Sequence, residues 1–199
     1  MKIENNNINI KISKLAVLTS GGDAPGMNAA IRSVARSCSH YGIQCFGVSR
    51  GYQGLIEGKI KPLGTRSVKN ILNKGGTILK SARSKEFMTK EGRLKAYESL
   101  KNQKIDNLVV IGGDGSFTGG YIFEKEFGVS VVGIPGTIDN DIFGTDSTVG
   151  YDTALNTVVE AIDKIRDTAI SHNRLFFVEV MGKDAGHIAL NTGIGIGAS

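Results

Sequence analysis

The sequence contains no tryptophan, 3 prolines and 2 cysteines in 199 residues. The cysteines, Cys38 and Cys45, do not have the spacing of a metal-binding motif, so we expect them to fill core or surface positions in a reducing compartment. No apolar run approaches the roughly 18 residues of a membrane-spanning helix. The start, MKIENNNINIKIS, also lacks the apolar stretch of a signal peptide. These absences predict a cytoplasmic protein that has no membrane partner.

Blocks of lysine and arginine and stacking aromatic motifs are absent too, which argues against nucleic acid as a partner. Glycine, in contrast, is abundant, with 27 residues. This frequency indicates many turns that need special backbone angles. The net charge of +5 suits an anionic ligand such as a phosphate, although scattered surface charge would give the same value.

From Lys14 onwards, short apolar runs alternate with longer amphipathic stretches. Within each run the apolar residues are consecutive and do not alternate with polar ones, as expected for parallel strands that are covered on both faces. The pattern therefore predicts an α/β fold with an open, mostly parallel sheet and helices on both faces. The predicted strands are 15–19, 44–48, 108–111, 129–134 and 175–181, and the predicted helices are 27–39, 66–73, 90–102, 119–127 and 153–171.

The two ends of the chain differ from this pattern. Residues 1–13 are interpreted as a disordered leader. The glycine-rich end at 191–199 predicts no closing helix or strand, and indicates a truncated chain. The last predicted helix carries an apolar stripe that we expect to lie in the core rather than at a cofactor, formed by Leu155, Val158, Val159, Ile162 and Ile165.

Three predicted strands end in segments rich in glycine and acidic residues, and ligands of open parallel sheets bind at such strand ends. The first segment, residues 19–28 (TSGGDAPGMN), is a strand-to-helix turn whose small residues let backbone N–H groups approach a phosphate. It has neither the Walker spacing nor the dinucleotide-binding spacing. A tight turn without a ligand would account for it equally well.

The second segment, residues 111–116 (IGGDGS), places Asp114 where it could hold a hydrated Mg²⁺ while the flanking amides contact phosphate oxygens. The third, residues 135–141 (PGTIDND), has two carboxylates two residues apart. In an extended segment these point the same way, so that repulsion and metal charge could make one of them a proton acceptor. A glycine turn and a solvated acidic loop are the alternatives to these two roles.

Together the three segments predict one acidic, amide-lined crevice, because they lie at the same edge of the predicted sheet. Acidic walls alone would repel a nucleotide. A bound Mg²⁺ and cations such as Arg83 and Arg174 would have to offset them.

Five strings carry a resemblance to a known family: LTSGGDAPGMNAAIR, NKGGTILKSAR, VVIGGDGS, PGTIDNDIFGTD and HNRLFFVEVMG. Their order and spacing resemble those of the bacterial ATP-dependent 6-phosphofructokinases, from about Lys14 to Gly197. The resemblance implies a phosphofructokinase-like fold, with 14–149 as a nucleotide-binding lobe and 150–199 as the beginning of a substrate and effector lobe. It also implies transfer of the γ-phosphoryl group of Mg-ATP to the 1-hydroxyl of fructose 6-phosphate, a step of glycolysis.

The resemblance further implies roles for individual residues. Asp139 would be the general base, with Thr137 and Asp141 beside the transferring group, and Asp114 would contact the magnesium. The residues implied for ATP are Gly22, Arg83, Ser84, Gly113, Asp114, Gly115 and Ser116. Those implied for fructose 6-phosphate are Thr137, Ile138, Asp139, Arg174, Met181, Gly182 and Lys183. Because the arginine that matches Arg174 reaches a neighbouring subunit, a homo-oligomer is implied, which is a tetramer in the family.

An effector site for ADP or phosphoenolpyruvate is implied by Arg32, Arg36 and Arg166, for which solvated surface arginines are the alternative. Thr65 and Ser199 depart from the family's effector-site pattern, which puts allosteric control in doubt.

Three other positions bear on the substrate and the donor. Lys183 stands where the family usually has an arginine, and a lysine cannot make the bidentate contact with phosphate. Gly115 and Gly136 stand where pyrophosphate-using relatives carry Asp and Lys, which favours ATP as the donor. The downstream Arg, Glu and His residues that complete the family's sugar-phosphate pocket have no counterpart in the sequence.

Three alternatives stay open beside an ATP-dependent 6-phosphofructokinase. One is a lipid or NAD kinase that shares only the GGDG string, and the PGTIDND string argues against it. Another is a pyrophosphate-dependent phosphofructokinase. The third is a truncated, catalytically incompetent fragment that binds nucleotide without turnover.

Overall fold

The structure is a computed structural model that describes residues 12–198. Most of the predicted leader, residues 1–11, and Ser199 lie outside the described part. Ser13 belongs to the folded part, because its carbonyl accepts a hydrogen bond of 2.9 Å from the backbone N–H of Gln44.

The described residues form one sheet with helices around it. The strands are β1 (Lys14–Thr19), β2 (Gln44–Val48), β3 (Ile60–Pro62), β4 (Asn107–Gly112), β5 (Ser130–Thr137) and β6 (Val149–Gly150). The helices are α1 (Met27–His40), α2 (Gly51–Ile56), α3 (Lys90–Asn102), α4 (Asp114–Phe127), α5 (Tyr151–His172) and α6 (His187–Ile196), with one 3-10 turn at Glu86–Met88.

The strand order is β3-β2-β1-β4-β5-β6, and every pair is parallel except β2 with β3. At one edge, β6 pairs only with Gly136 and Thr137, the last two residues of β5. The predicted fold class, a mostly parallel α/β sheet, is therefore confirmed.

Two cores cover the two faces of the sheet. Val17 belongs to the core that contains Ile31 of α1, whereas its neighbour Leu18 belongs to the core that contains Leu100 of α3 and Phe123 of α4. All five side chains are fully buried. Successive strand residues point to opposite faces, so this alternation means that helices lie on both sides of β1.

Local signals set the bounds of the central helices. Thr89 caps α3 with its hydroxyl, which accepts a bond of 3.1 Å from the N–H of Gly92. Gly113 precedes α4, and Gly128 ends it in the left-handed conformation at φ 70°. The predicted helix 90–102 is confirmed residue for residue, and 119–127 is the second half of a helix that begins at Asp114.

Two predicted elements are wrong. Residues 66–73 form turns instead of a helix, and Asn70 is left-handed at φ 57°, which breaks helical geometry. Residues 175–181 are not a strand, because no described strand lies beside them to accept their backbone hydrogen bonds. Leu175 and Phe177 are consequently 81% and 92% exposed.

Four further strands and helices were not predicted: α2, β3, β6 and α6. The expectation that 191–199 closes without a helix is wrong, since α6 runs to Ile196 and Gly197 ends it at φ 63°. Ile188 and Thr192, one helical turn apart, supply its buried positions. They let a glycine-rich segment remain helical against α5.

The apolar stripe of α5, from Leu155 to Ile165, is half-exposed, and α5 has no buried residue. The expectation that this stripe lies in the core is wrong for the described residues. β5 also departs from the prediction of strands covered on both faces, because Val132 is 59% exposed. Within residues 12–198, no helix is long and apolar enough to cross a membrane.

Candidate functional site

The carboxyl ends of β1, β4 and β5 meet at one edge of the sheet. Thr19 pairs with Ile111, and Gly112 pairs with Pro135, so the three strands end at the same level. The N–H of Ser20 donates a bond of 3.0 Å to the carbonyl of Ile111. The three segments predicted to form a crevice are therefore neighbours.

Close contacts join these segments side by side. A Cβ placed on Gly21 would lie 3.6 Å from Oγ of Ser116, and one placed on Gly113 would lie 3.9 Å from Cβ of Thr137. A Cβ on Gly112 would collide with the carbonyl oxygen of Ser20 at 2.6 Å. Glycine is therefore needed at Gly112 for the first and second segments to approach each other.

Gly22 and Gly115 require a different explanation. Neither has a positive φ, and a Cβ at either position would have no neighbour within 4 Å. The protein itself thus does not require glycine there, and the space in front of both residues is open to a ligand. A Cβ at Gly136 would instead lie 3.0 Å from Cγ2 of Ile111, in the core. There is thus open space at Gly115, whereas Gly136 serves packing.

The second segment starts a helix of 14 residues, with Gly113 before it and Asp114 as its first residue. The first N–H groups of a helix lack partners inside the helix and attract anions. The side chain of Asp114 is exposed and makes no hydrogen bond or ion pair with any other described residue. Ser116 is buried, and its side chain lies against Gly21 and Gly112. This helix start can contact phosphate oxygens and leaves the Asp114 carboxylate available to a cation.

The third segment turns sharply after Asp139. The N–H of Asp139 donates to Oγ1 of Thr137 at 3.2 Å. Asn140 is left-handed at φ 51°, and its Oδ1 accepts the N–H of Thr148 at 2.9 Å. The expectation of an extended segment is wrong at Asn140. The alternation that would point Asp139 and Asp141 the same way is broken there, and Asp139 is half-buried while Asp141 is exposed.

A fourth segment, residues 76–84, brings Arg83 and Ser84 beside the first one. The buried hydroxyl of Thr19 contacts Oγ1 of Thr77 at 2.9 Å and donates to the carbonyl of Lys80 at 3.0 Å. The hydroxyl of Ser81 donates to the carbonyl of Gly21. Arg83, two residues later, is exposed. Sequence reasoning missed these bonds, because nothing in the letters links positions about sixty residues apart.

Helix α2 was also missed, and it joins the site segments. A Cβ at Gly51, which has φ 57°, would lie 2.7 Å from the carbonyl oxygen of Thr19. The hydroxyl of Tyr52 donates to the carbonyl of Ser116 at 2.7 Å, and its ring stacks on Phe87 with centroids 3.9 Å apart. Burial raises the pKa of Tyr52, so its hydroxyl remains a donor. Two of the six residues of this helix are glycines, Gly51 and Gly54, whose low helix propensity conceals the helix in the sequence.

The predicted sugar-phosphate residues divide into two groups. Thr137 and Asp139 line the crevice, and Ile138 packs against the core on the α1 side. Arg174, Met181, Gly182 and Lys183 are exposed between α5 and α6, and none of them bonds to a described residue of the crevice. Lys183 lies 3.3 Å from the carboxylate of Asp184, its neighbour in the chain.

The predicted effector arginines are spread over two helices. Arg32 and Arg36 lie on α1, and Arg32 lines a shallow cavity with Asn70, Leu72 and Asn73. Arg166 lies on α5, where it donates to the carbonyl of Ile196. Among the described residues, no bond joins Arg166 to either arginine of α1.

Asp114 is the candidate carboxylate ligand for a metal ion at these segments. Residues 12–198 contain no group of three or more His, Cys, Asp or Glu side chains that would hold a metal ion alone. Mg²⁺ bound with a nucleotide takes one or two carboxylates, with water and phosphate oxygens as its other ligands. Asp114 at the start of α4 fits that donor set.

Comparisons with known proteins agree with this arrangement. A family model described as "Phosphofructokinase" matches residues 14–199. The chain is 62% identical over 184 residues to ATP-dependent 6-phosphofructokinase 2 of Bacteroides thetaiotaomicron, with 92% of the chain and 56% of that protein covered. It is 58% identical over 187 residues to ATP-dependent 6-phosphofructokinase 1 of Thermus thermophilus, with 94% and 58% covered.

Among solved structures, phosphofructokinase from Saccharomyces cerevisiae superposes with a TM-score of 0.91 at 45% identity, and the match covers 94% of this chain and 28% of that one. The chain thus spans a little over half the length of the two bacterial relatives. Since the family model matches well over half of the chain, the chain belongs to the phosphofructokinase family.

Proposed function

We propose that this chain carries the nucleotide side of an ATP-dependent 6-phosphofructokinase, which transfers the γ-phosphoryl group of Mg-ATP to the 1-hydroxyl of fructose 6-phosphate. The products are fructose 1,6-bisphosphate and ADP, and the reaction belongs to glycolysis. The observation that carries the proposal is the meeting of three strand ends around two glycines, Gly22 and Gly115, that face open space. The names of the bacterial relatives, which are ATP-dependent enzymes, support ATP as the donor.

The triphosphate would lie across Gly22 and the residues from Gly113 to Ser116, with Arg83 and Ser84 beside it. The N–H groups at the start of α4 would contact its oxygens. Asp114 would hold the Mg²⁺, which, when bound, neutralises charge on the phosphoryl oxygens. The open space at Gly115 favours ATP over pyrophosphate as the donor, because an acidic side chain there would fill the crevice.

Asp139 would accept the proton of the sugar hydroxyl. Its backbone is held by the bond to Thr137, which leaves the proton of the Thr137 hydroxyl free to be donated to a phosphoryl oxygen. Asp141, on the far side of the turn at Asn140, would lie beside the transferring group without accepting the proton. In-line transfer needs positioning and charge neutralisation more than covalent chemistry.

The sugar phosphate would be bound by Thr137, Ile138 and Asp139, together with Arg174, Met181, Gly182 and Lys183. Since the last four make no bond to the crevice, the proposal includes a homo-oligomer, a tetramer as in the family, in which Arg174 reaches a neighbouring subunit. Arg32, Arg36 and Arg166 would belong to an effector site for ADP or phosphoenolpyruvate. A cytoplasmic location suits this chemistry.

Replacing Asp139 tests the assignment. We expect Asp139→Asn to reduce turnover by about 10²- to 10⁴-fold, the usual contribution of a general base, and to leave Mg-ATP affinity nearly unchanged. Asp141→Asn is the matched control and should have the smaller effect. Formation of fructose 1,6-bisphosphate should be measured with ATP and with pyrophosphate, together with the oligomeric mass. Unchanged turnover in Asp139→Asn would contradict the role of Asp139 as general base. Turnover with pyrophosphate but not with ATP would mean that pyrophosphate is the donor.

A second candidate function is binding of Mg-ATP without turnover. It is favoured by the absence of any described bond between the crevice and the segment that holds Arg174 and Lys183. In that case the 199-residue chain binds Mg-ATP and releases no sugar bisphosphate at any fructose 6-phosphate concentration. The same two measurements, affinity and product formation, separate the two functions.

A further inference from the structure

Gln53 lies on α2, between the crevice and two acidic side chains. Its Oε1 accepts a bond of 2.7 Å from the hydroxyl of Ser84. Its Nε2 donates to Oε1 of Glu57 at 3.1 Å and lies 3.5 Å from Oε2 of Glu86. One side chain thus contacts Glu57, four residues further along the chain, and both Ser84 and Glu86 of a more distant segment.

The orientation of this amide is fixed by its neighbours. Ionised carboxylates only accept hydrogen bonds, so the NH₂ group of Gln53 must face Glu57 and Glu86, and its oxygen must face Ser84. Lys59 lies 2.5 Å from Glu57, and Lys95 lies 2.7 Å from Glu86. These lysines lower the pKa of both carboxyl groups, chiefly through their hydrogen bonds, and keep them ionised as acceptors.

The hydroxyl proton of Ser84 is used within the protein. It donates to Gln53 and accepts a bond of 3.1 Å from the backbone N–H of Phe87. Ser84 therefore holds the backbone in place, and any hydrogen bond that it donates to a ligand comes from its backbone N–H.

Arg83 sits between two tied residues. On one side, Ser81 is bound to the carbonyl of Gly21 in the first crevice segment. On the other, Ser84 is bound to Gln53. Arg83 itself is exposed and its side chain makes no bond to another described residue, so these two ties set the position of its backbone.

We infer that Gln53 is a positioning residue for nucleotide binding: it fixes Ser84, and with it Arg83, at the crevice. The inference rests on the proposed function, because it takes the ligand of the crevice to be Mg-ATP. Gln53 itself would not contact the nucleotide, so it is an addition to the residues proposed above to bind it.

The isosteric change Gln53→Glu tests it in the 199-residue chain. At about pH 8 the introduced carboxylate faces Glu57 and Glu86, with Arg50, Lys59 and Lys95 as the nearby cations, and it can no longer donate to either acid. We expect Mg-ATP affinity, measured by titration calorimetry, to fall by about tenfold. Gln103→Glu, an exposed change at the end of α3, is the matched control and should bind as the unchanged chain does.

The pH dependence of the Mg-ATP affinity separates a positioning role from general damage to the fold, because general damage would not be reversed at lower pH. Repulsion from the two acids favours the protonated form of the introduced carboxyl group, so we expect its pKa to lie above the ordinary value of a glutamic acid. Once protonated, it can donate to an acid and accept from Ser84, as glutamine does. The affinity ratio of Gln53→Glu to the unchanged chain should therefore return towards one between about pH 8 and about pH 5.5.

A second variant, Ser84→Ala, removes the bond to Gln53 and also the acceptor of the Phe87 N–H, without adding a charge, and we expect about fivefold weaker binding. If the unchanged chain binds Mg-ATP and neither variant weakens it, the positioning role is wrong and the proposed function stands. A loss in Gln53→Glu that is equal at both pH values also overturns the role. If the unchanged chain does not bind Mg-ATP at all, the proposed function fails and this inference fails with it.

Discussion

Two regions of the molecule bury their apolar residues very differently. In residues 12–129, the strands β1, β2 and β4 lie between helices, and Leu18, Val110 and Phe123 are fully buried. After Val129, the next buried hydrophobic residue among those described is Ile188. Side chains such as Phe143 and Phe177 are almost completely exposed in between. An apolar pattern thus becomes a core only where another element lies against it.

The difference also divides the site. The three crevice segments are anchored in the packed region or at its border, where Thr19 and Ser116 are buried and bonded. The segment with Arg174 and Lys183 lies in the exposed region. We therefore expect nucleotide binding to survive changes in the second region, and binding of the sugar phosphate to depend on them.

The largest test of the comparison removes one leucine from each region. Leu18→Ala leaves a cavity between β1 and the helices above it, and should lower the free energy of unfolding by about 3 to 4 kcal/mol. Leu175→Ala removes a side chain that is 81% exposed and should change it by less than about 0.5 kcal/mol. Urea unfolding measures both. Equal losses would mean that the second region is packed after all.

A second test acts where the two regions meet. Gly150 has φ 110°, and a Cβ there would lie 2.8 Å from Cβ of Ala24 and 2.9 Å from the carbonyl oxygen of Pro25. Gly150→Ala should therefore cost about 2 kcal/mol of unfolding free energy. Gly186→Ala is the control, because that position has open space and no positive φ. A neutral Gly150→Ala would show that β6 is not held against the first crevice segment.

The third and smallest test compares two ion pairs. Arg93, which is 9% exposed, binds Glu126 through two bonds of 2.6 and 2.8 Å, whereas Glu160 and Lys164 form an exposed pair on α5. Glu126→Gln should lower Tm at neutral pH by a few degrees, and Glu160→Gln should barely change it, because exposed pairs contribute little.

The same pair predicts a dependence on pH. The hydrogen bonds from Arg93 lower the pKa of Glu126 below its ordinary 4.5, so its contribution to stability is complete above that value. It is lost as the pH falls through the lowered pKa. The Tm difference between Glu126→Gln and the unchanged chain should therefore shrink below about pH 4. A constant difference down to pH 3 would contradict this assignment.

Much of the packed region could be predicted from the sequence, because its signals are local. The strand at 44–48 and the helix at 90–102 have their predicted bounds, and the order of the strand ends identified the crevice. The roles of individual site residues stay predictions, although Gly22, Asp114 and Asp139 do lie on neighbouring segments.

The failures have physical reasons of another kind. The run 175–181 has the composition of a strand but no described partner, and a strand exists only through its neighbour. Glycines concealed α2 and α6, whose helical state depends on tertiary contacts such as that of Tyr52 with Ser116. The left-handed turn at Asn140 is stabilised by Thr148, eight residues away. Such a turn produces no periodic pattern of apolar residues in the sequence.

The two edges of the sheet differ in their capacity to take up another strand. β3 is three residues long and ends in Pro62, whose nitrogen has no proton to donate, so this edge is closed to further pairing. At the other edge, β6 covers only the last two residues of β5, and no strand among the described residues pairs with the backbone of 130–135 on that side. Edge-to-edge association of this chain should therefore proceed in one direction, by addition beside β5.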